Sequence, residues 1–111
     1  MRRVYLAVAL CVALIGCGDK ICDAPTGINQ TKIGARLSCP NGATTFSIAG
    51  PCYAEATVKE QRTFSSGCSF IVVPDTKYTV SAKTDDGALI GSVTVVSPGP
   101  GKTENADIAC D

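Results

Sequence analysis

Apolar and polar positions along this chain fall into two regimes. Residues 4–15, VYLAVALCVALI, form one uncharged apolar run of 12 residues. From Ala35 onward, apolar and polar residues alternate in short stretches separated by Gly, Pro, Asn and Asp. The run is too short to cross a hydrocarbon core of ~30 Å as a helix, which takes ~20 residues. Arg2 and Arg3 stand ahead of it, and Gly16, Gly18, Asp19 and Lys20 end it abruptly. A positive start, a short apolar helix and small residues behind it make an export signal.

The second regime predicts strands. Tyr78, Val80 and Ala82 take one face while Thr79, Ser81 and Lys83 take the other, which is the two-residue period of a half-buried strand. Ala54, Ala56 and Val58 alternate in the same way with Glu55, Thr57 and Lys59. The pattern places strands at 35–39, 44–49, 53–60, 68–73, 77–83, 88–96 and 103–109. Pro40-Asn41-Gly42, Pro74-Asp75-Thr76 and Asp85-Asp86-Gly87 read as hairpin turns between them. Their spacing suits a sandwich or barrel. Residues 23–34, DAPTGINQTKIG, are polar and broken by Pro25 and Gly27, and read as a tether.

The residues that close the apolar run narrow the address. Leu14-Ile15-Gly16-Cys17 resembles the bacterial lipobox. That resemblance implies a signal peptidase that recognises Leu14, Ile15 and Gly16 and cuts before Cys17, whose thiol carries a diacylglyceryl group. The chemistry needs a cysteine there because its thiol is the nucleophile for the lipid. Cys11 lies inside the apolar run and Cys22 follows the charged Lys20, so neither fits. More than one acyl chain makes a stable anchor without a second membrane signal. Gly18 stands where the family's inner-membrane retention signal would be Asp, which implies the outer membrane if the source is Gram-negative. The chain therefore divides into a signal peptide at 1–16, a lipidated cysteine and flexible tether at 17–34, and a sandwich at 35–111. The alternative is ordinary secretion with cleavage near Gly16 or Gly18 and no lipid on Cys17.

Composition removes several functions. The 111 residues suffice for one domain. Without Arg2 and Arg3 the mature part has eight basic and ten acidic residues, and no basic cluster suited to nucleic acid. There is no His and no Trp, so the commonest proton shuttle and metal ligand is missing. Seven cysteines point to an oxidising compartment. If Cys17 carries lipid, five remain in the mature chain: Cys22, Cys39, Cys52, Cys68 and Cys110. Two bridges and one cysteine left over is then the simplest outcome, with Cys22 a candidate for a free thiol or a partner in another chain. If Cys17 stays a thiol, the six allow three bridges. The connectivity stays open; the preferred partner of Cys110 is one of Cys39, Cys52 and Cys68. Their spacings include no CxxC pair, so disulfides are favoured over a metal site or a redox centre.

The stretch 46–108 resembles the carboxypeptidase-regulatory-like, or prealbumin-like, β-sandwich. Tyr53-Ala54-Glu55-Ala56-Thr57-Val58, Ser65-Ser66-Gly67-Cys68-Ser69-Phe70 and Pro74-Asp75-Thr76-Lys77-Tyr78-Thr79-Val80 carry it, with an echo in Gly101 to Ile108. Cys68 stands where that family usually has a polar residue. The resemblance implies an Ig-like antiparallel β-sandwich of about seven strands after the signal helix. The aromatics Phe46, Tyr53, Phe64, Phe70 and Tyr78, with the Val, Ile and Leu of the strands, suffice for one modest core. Such modules support or display and rarely catalyse.

No Ser/His/Asp or Cys/His arrangement is possible without His. The expectation is a non-catalytic envelope lipoprotein without cofactor, metal, nucleic acid or small-molecule substrate, tethered to the membrane. It would support structure or meet an envelope protein or polysaccharide. Loops 61–67 and 97–102 could serve for display, although solvated connectors are the favoured reading of both. The alternative is a soluble secreted binding module with three disulfides.

Overall fold

The computed structural model of the chain describes residues 19–22, 30–61 and 67–110. The export run with its expected helix and the lipobox lie outside them. The described residues form eight strands: β1 (Asp19–Ile21), β2 (Thr31–Leu37), β3 (Gly42–Ala49), β4 (Tyr53–Gln61), β5 (Gly67–Val72), β6 (Lys77–Thr84), β7 (Leu89–Val96) and β8 (Thr103–Ile108). β2 to β8 occupy the stretches where alternation predicts strands, with ends displaced by up to four residues. β1 and the start of β2 lie inside the segment read as a tether. Three residues of β1 are too few to show a period, and sheet pairing overrides the polar local composition.

The strands build two four-stranded sheets in the orders β1-β5-β2-β8 and β4-β3-β6-β7. The second is antiparallel throughout. The first is mixed: β2 pairs β5 antiparallel, while β1 with β5 and β2 with β8 run parallel. A two-sheet all-β fold is thus present, but it is not purely antiparallel. Alternation reports which face of a strand is buried and says nothing about its neighbour. For the same reason two of the expected hairpins are corrected. Pro40-Asn41-Gly42 and Pro74-Asp75-Thr76 carry the chain from one sheet to the other. The hairpins lie at Asp85-Asp86-Gly87, between β6 and β7, and at Gly50-Pro51-Cys52, between β3 and β4.

The core fills the space between the sheets. Ile33, Leu37, Phe70 and Ile108 of the mixed sheet and Phe46, Ile48, Tyr78 and Val80 of the antiparallel sheet are each at most 1% exposed. Tyr53, expected in the core, is 59% exposed. It shares the outward face of β4 with Glu55 and Thr57, where strict alternation puts it. Phe64 lies outside the described residues. Gly67 marks a tight approach of β5 to β2: a Cβ there would run into the Ala35 carbonyl oxygen.

Strand directions bring the two ends of the described chain together. β1 runs with β5, against β2 and β8. Asp19 therefore enters at the end of the sandwich where Leu37 and Ile108 finish their strands. This near end also carries the Asp85-Asp86-Gly87 turn. The far end carries Gly50-Pro51-Cys52 and the connections 73–76 and 97–102.

Candidate functional site

Covalent links and ordered loops are the features from which a role can be built. Cys22, directly after β1, is bonded to Cys52, directly before β4. This bridge ties an edge of the mixed sheet to an edge of the antiparallel sheet at the far end, with Cα atoms 5.6 Å apart. Cys39 and Cys110 are bonded at the near end, with Cα atoms 6.1 Å apart. They clip the finishing ends of the parallel neighbours β2 and β8. Ser38 N–H donates to the Ile108 carbonyl at 2.9 Å and continues their ladder. The preference for a Cys110 bridge to Cys39, Cys52 or Cys68 agrees with this pairing. Cys22, a candidate for a free thiol, is instead paired, because β1 carries it onto the sandwich. Cys68 is disulfide-bonded as well. The other four described cysteines pair with each other.

The far end is held by a polar clamp. Ser97 is 2% exposed. Its hydroxyl donates to the Val73 carbonyl at 2.6 Å and accepts the Thr76 N–H at 2.9 Å. Val73 N–H donates to the Tyr78 hydroxyl at 3.1 Å, so the buried ring has a partner for its polar tip. Asp75 has φ +55°, a left-handed backbone that Asp tolerates better than most residues. Its N–H donates to the carbonyls of Ser97 and Pro98 at 3.2 and 3.3 Å. The 97–102 connection is bonded on its other side too. Thr31 hydroxyl donates to Gly99 carbonyl at 3.3 Å, and Lys32 N–H donates to Lys102 carbonyl at 3.1 Å. It is an ordered loop at the far end. Of the other expected display loop, 62–66 lie outside the described residues.

The Asp85-Asp86-Gly87 carboxylates serve the turn. Asp86 accepts from the Thr84 hydroxyl and, at 3.4 Å, from the Ala88 N–H. The Thr84 hydroxyl holds the Asp86 carboxyl below its ordinary pKa. Gly87 closes the turn at φ +96°, where a side chain would be strained. Among the described residues no three His, Cys, Asp or Glu side chains converge as a metal site would require.

The outer faces carry polar cross-strand pairs. On the antiparallel sheet, the Thr45 and Thr57 hydroxyls lie 3.0 Å apart and those of Thr79 and Thr94 3.3 Å apart. Tyr53 hydroxyl donates to Glu55 at 2.6 Å, and this bond raises the Tyr53 pKa. The mixed sheet has an open depression of about 240 Å³ between Gly34, Arg36, Gly67, Ser69 and Asn105. Arg36 Nε bonds Asp107 at 2.9 Å close by. Its volume falls below the usual range for small-molecule sites.

No known protein family, no characterised protein and no solved structure matches this chain. Functional argument rests on its own residues. Sequence patterning found the cysteines but missed Ser97 and the hydroxyl of Tyr78. A lone serine after a strand carries no signal until the turn it binds is folded beside it.

Proposed function

We propose that this is an exported, non-catalytic cell-envelope lipoprotein whose folded part is an Ig-like, prealbumin-like sandwich that supports or displays. The observation that carries the reading is Leu14-Ile15-Gly16-Cys17 at the close of the apolar run. The position of β1 supports it. That strand begins two residues beyond Cys17, so a lipid there would hold the near end of the sandwich against the membrane. The far end, with its clamped 97–102 loop, would then point outward toward an envelope protein or polysaccharide. Three residues of β1 would peel from β5 under load. The Cys22–Cys52 bridge ties them covalently to the antiparallel sheet. The Tyr78 hydroxyl bond to the strand-leading turn supports the finer fold assignment, since a comparable corner recurs in Ig-like sandwiches.

A second reading is favoured by one observation. Cys68 is disulfide-bonded, and after cleavage before Cys17 the only cysteine left to pair with it in the chain is Cys17. One thiol cannot hold both a lipid and a bridge. In this reading the mature protein is a soluble secreted module with three disulfides. Intact mass spectrometry of the purified protein, before and after reduction and thiol labelling, separates the two. A chain that starts at Cys17 and carries acyl mass establishes the anchor. An unmodified chain with all cysteines oxidised establishes the secreted module and removes the anchor.

A further inference from the structure

Among the described residues four strands bound the two sheets: β1 and β8 on the mixed sheet, β4 and β7 on the antiparallel sheet. A free edge offers unpaired N–H and C=O groups to any passing strand, and charge or shortness is the usual protection. β1 has three residues, two of them charged. β4 includes Glu55 and Lys59, and β8 includes Glu104 and Asp107. β7, LIGSVTVV, has eight residues with no charge and no proline. Leu89 and Val96 at its two ends are 63% and 58% exposed.

The register of β7 makes these two side chains equivalent. Opposite β6, Gly91 pairs with Ala82 while Leu89 pairs with Lys83, so Ile90 is the extra residue of a bulge. The bulge shifts the phase and puts Leu89 on the outer face with Ser92, Thr94 and Val96. Gly91, Val93 and Val95 face inward.

We propose that β7 is a dimerisation edge whose occupant is β7 of a second copy of this chain, antiparallel and centred on Val93. Residues directly opposite in a sheet must share a face, and this centring satisfies that rule along the strand. Val93 faces Val93, Ser92 faces Thr94, Gly91 faces Val95 and, across the bulge, Leu89 faces Val96. The last pairing occurs twice, so both exposed apolar side chains are covered by their counterparts. It repeats the step β7 makes with β6. Lys83 and Lys77 flank Leu89 and Val96 on β6, and their stems extend the apolar contact while their charges stay in water. A two-fold axis through Val93 makes the interface self-complementary and closed. The two antiparallel sheets become one continuous sheet of eight strands. The proposal holds whether or not Cys17 carries lipid.

Native mass spectrometry of the purified protein tests it. The wild type is expected as a dimer. Leu89→Lys with Val96→Lys sets like charges opposite each other at both ends and is expected to give monomers, as is Leu89→Glu with Val96→Glu. Equal amounts of the two variants are expected to pair again, as dimers of mixed mass. Both positions are exposed, so circular dichroism should show an unchanged fold. Amide exchange of the wild type is an independent readout. Protection of β7 should rise with concentration while that of β4 stays constant. A wild type that is monomeric at every concentration, with no change in β7 exchange, overturns the proposal. So does a dimer indifferent to the lysine pair, or a mixture of variants that does not associate.

Discussion

The two sheets reach the same layered architecture by opposite routes. The antiparallel sheet is assembled from two hairpins, β3–β4 and β6–β7, joined by the β3–β6 pairing. No two neighbours in the mixed sheet are consecutive in the chain. The cysteines divide accordingly. Each strand of the mixed sheet contains one or is followed by one within two residues: Cys22, Cys39, Cys68 and Cys110. The antiparallel sheet has only Cys52 at its border. Long-range pairing has a large loop-closure cost, and a disulfide lowers it by restricting the unfolded chain. The difference teaches that covalent reinforcement lies where local sequence contributes least.

The largest test of that contrast removes a bridge. Cys39→Ser with Cys110→Ser opens a link across 71 residues of sequence, and destabilisation of about 4.5 kcal/mol follows from the loop length. The corresponding change at Cys22 and Cys52, separated by 30, is expected to cost about 3.5 kcal/mol. Denaturant melts measure both. Amide exchange should show β2 and β8 opening first while β3 and β6 stay protected. Simultaneous loss in both sheets breaks the comparison.

Next comes the close approach of β2 and β5. Gly67→Ala drives a methyl into the Ala35 carbonyl and should cost about 1–3 kcal/mol by overpacking. Gly99→Ala, with open space around it, should stay within about 0.5 kcal/mol. Equal thermal midpoints for the two variants would remove close packing as a constraint on the mixed sheet.

A third, comparable substitution acts where the sheets meet. Ser97→Ala leaves the Val73 carbonyl and Thr76 N–H without the hydroxyl that serves both, a loss of about 2 kcal/mol for buried groups. Differential scanning calorimetry would read it as a lower melting temperature. No change would mean that the far end does not couple the sheets.

The smallest effect belongs to the outer face of the antiparallel sheet. Tyr53 donates to Glu55, so its phenol should titrate above the ordinary Tyr value of about 10. Glu55→Gln removes the ionic acceptor and should bring it back down, as read by ultraviolet difference absorbance during alkaline titration. The raised value contributes stability that is present below the ordinary pKa and lost as pH climbs through the raised one. An unmoved titration curve would mean that the pair does not hold in solution.

Legibility in the sequence follows the same division. Alternation in 78–83 and 54–59 marks the strands and their buried faces, and Asp85-Asp86-Gly87 marks a true hairpin, because these are local signals. The parallel pairing of β2 with β8 and the inclusion of β1 depend on residues far apart, and no window of sequence contains both partners. The cysteines were visible as a set but not as pairs, since pairing is decided by which strand ends meet. The proposed lipobox is four adjacent residues, Leu14 to Cys17, and a motif of that kind needs no folded partner to be seen.

Asp19 and Cys110 leave the sandwich at the same pole. A bead threaded on a string must let the string out opposite the place where it entered, and this module does not. Chain added at either terminus would double back alongside the other, so the module can cap a stalk but cannot lengthen one. For the same reason an epitope tag fused after Cys110 would sit beside whatever holds the first strand. A tag inserted at Gly99 would stand at the opposite pole.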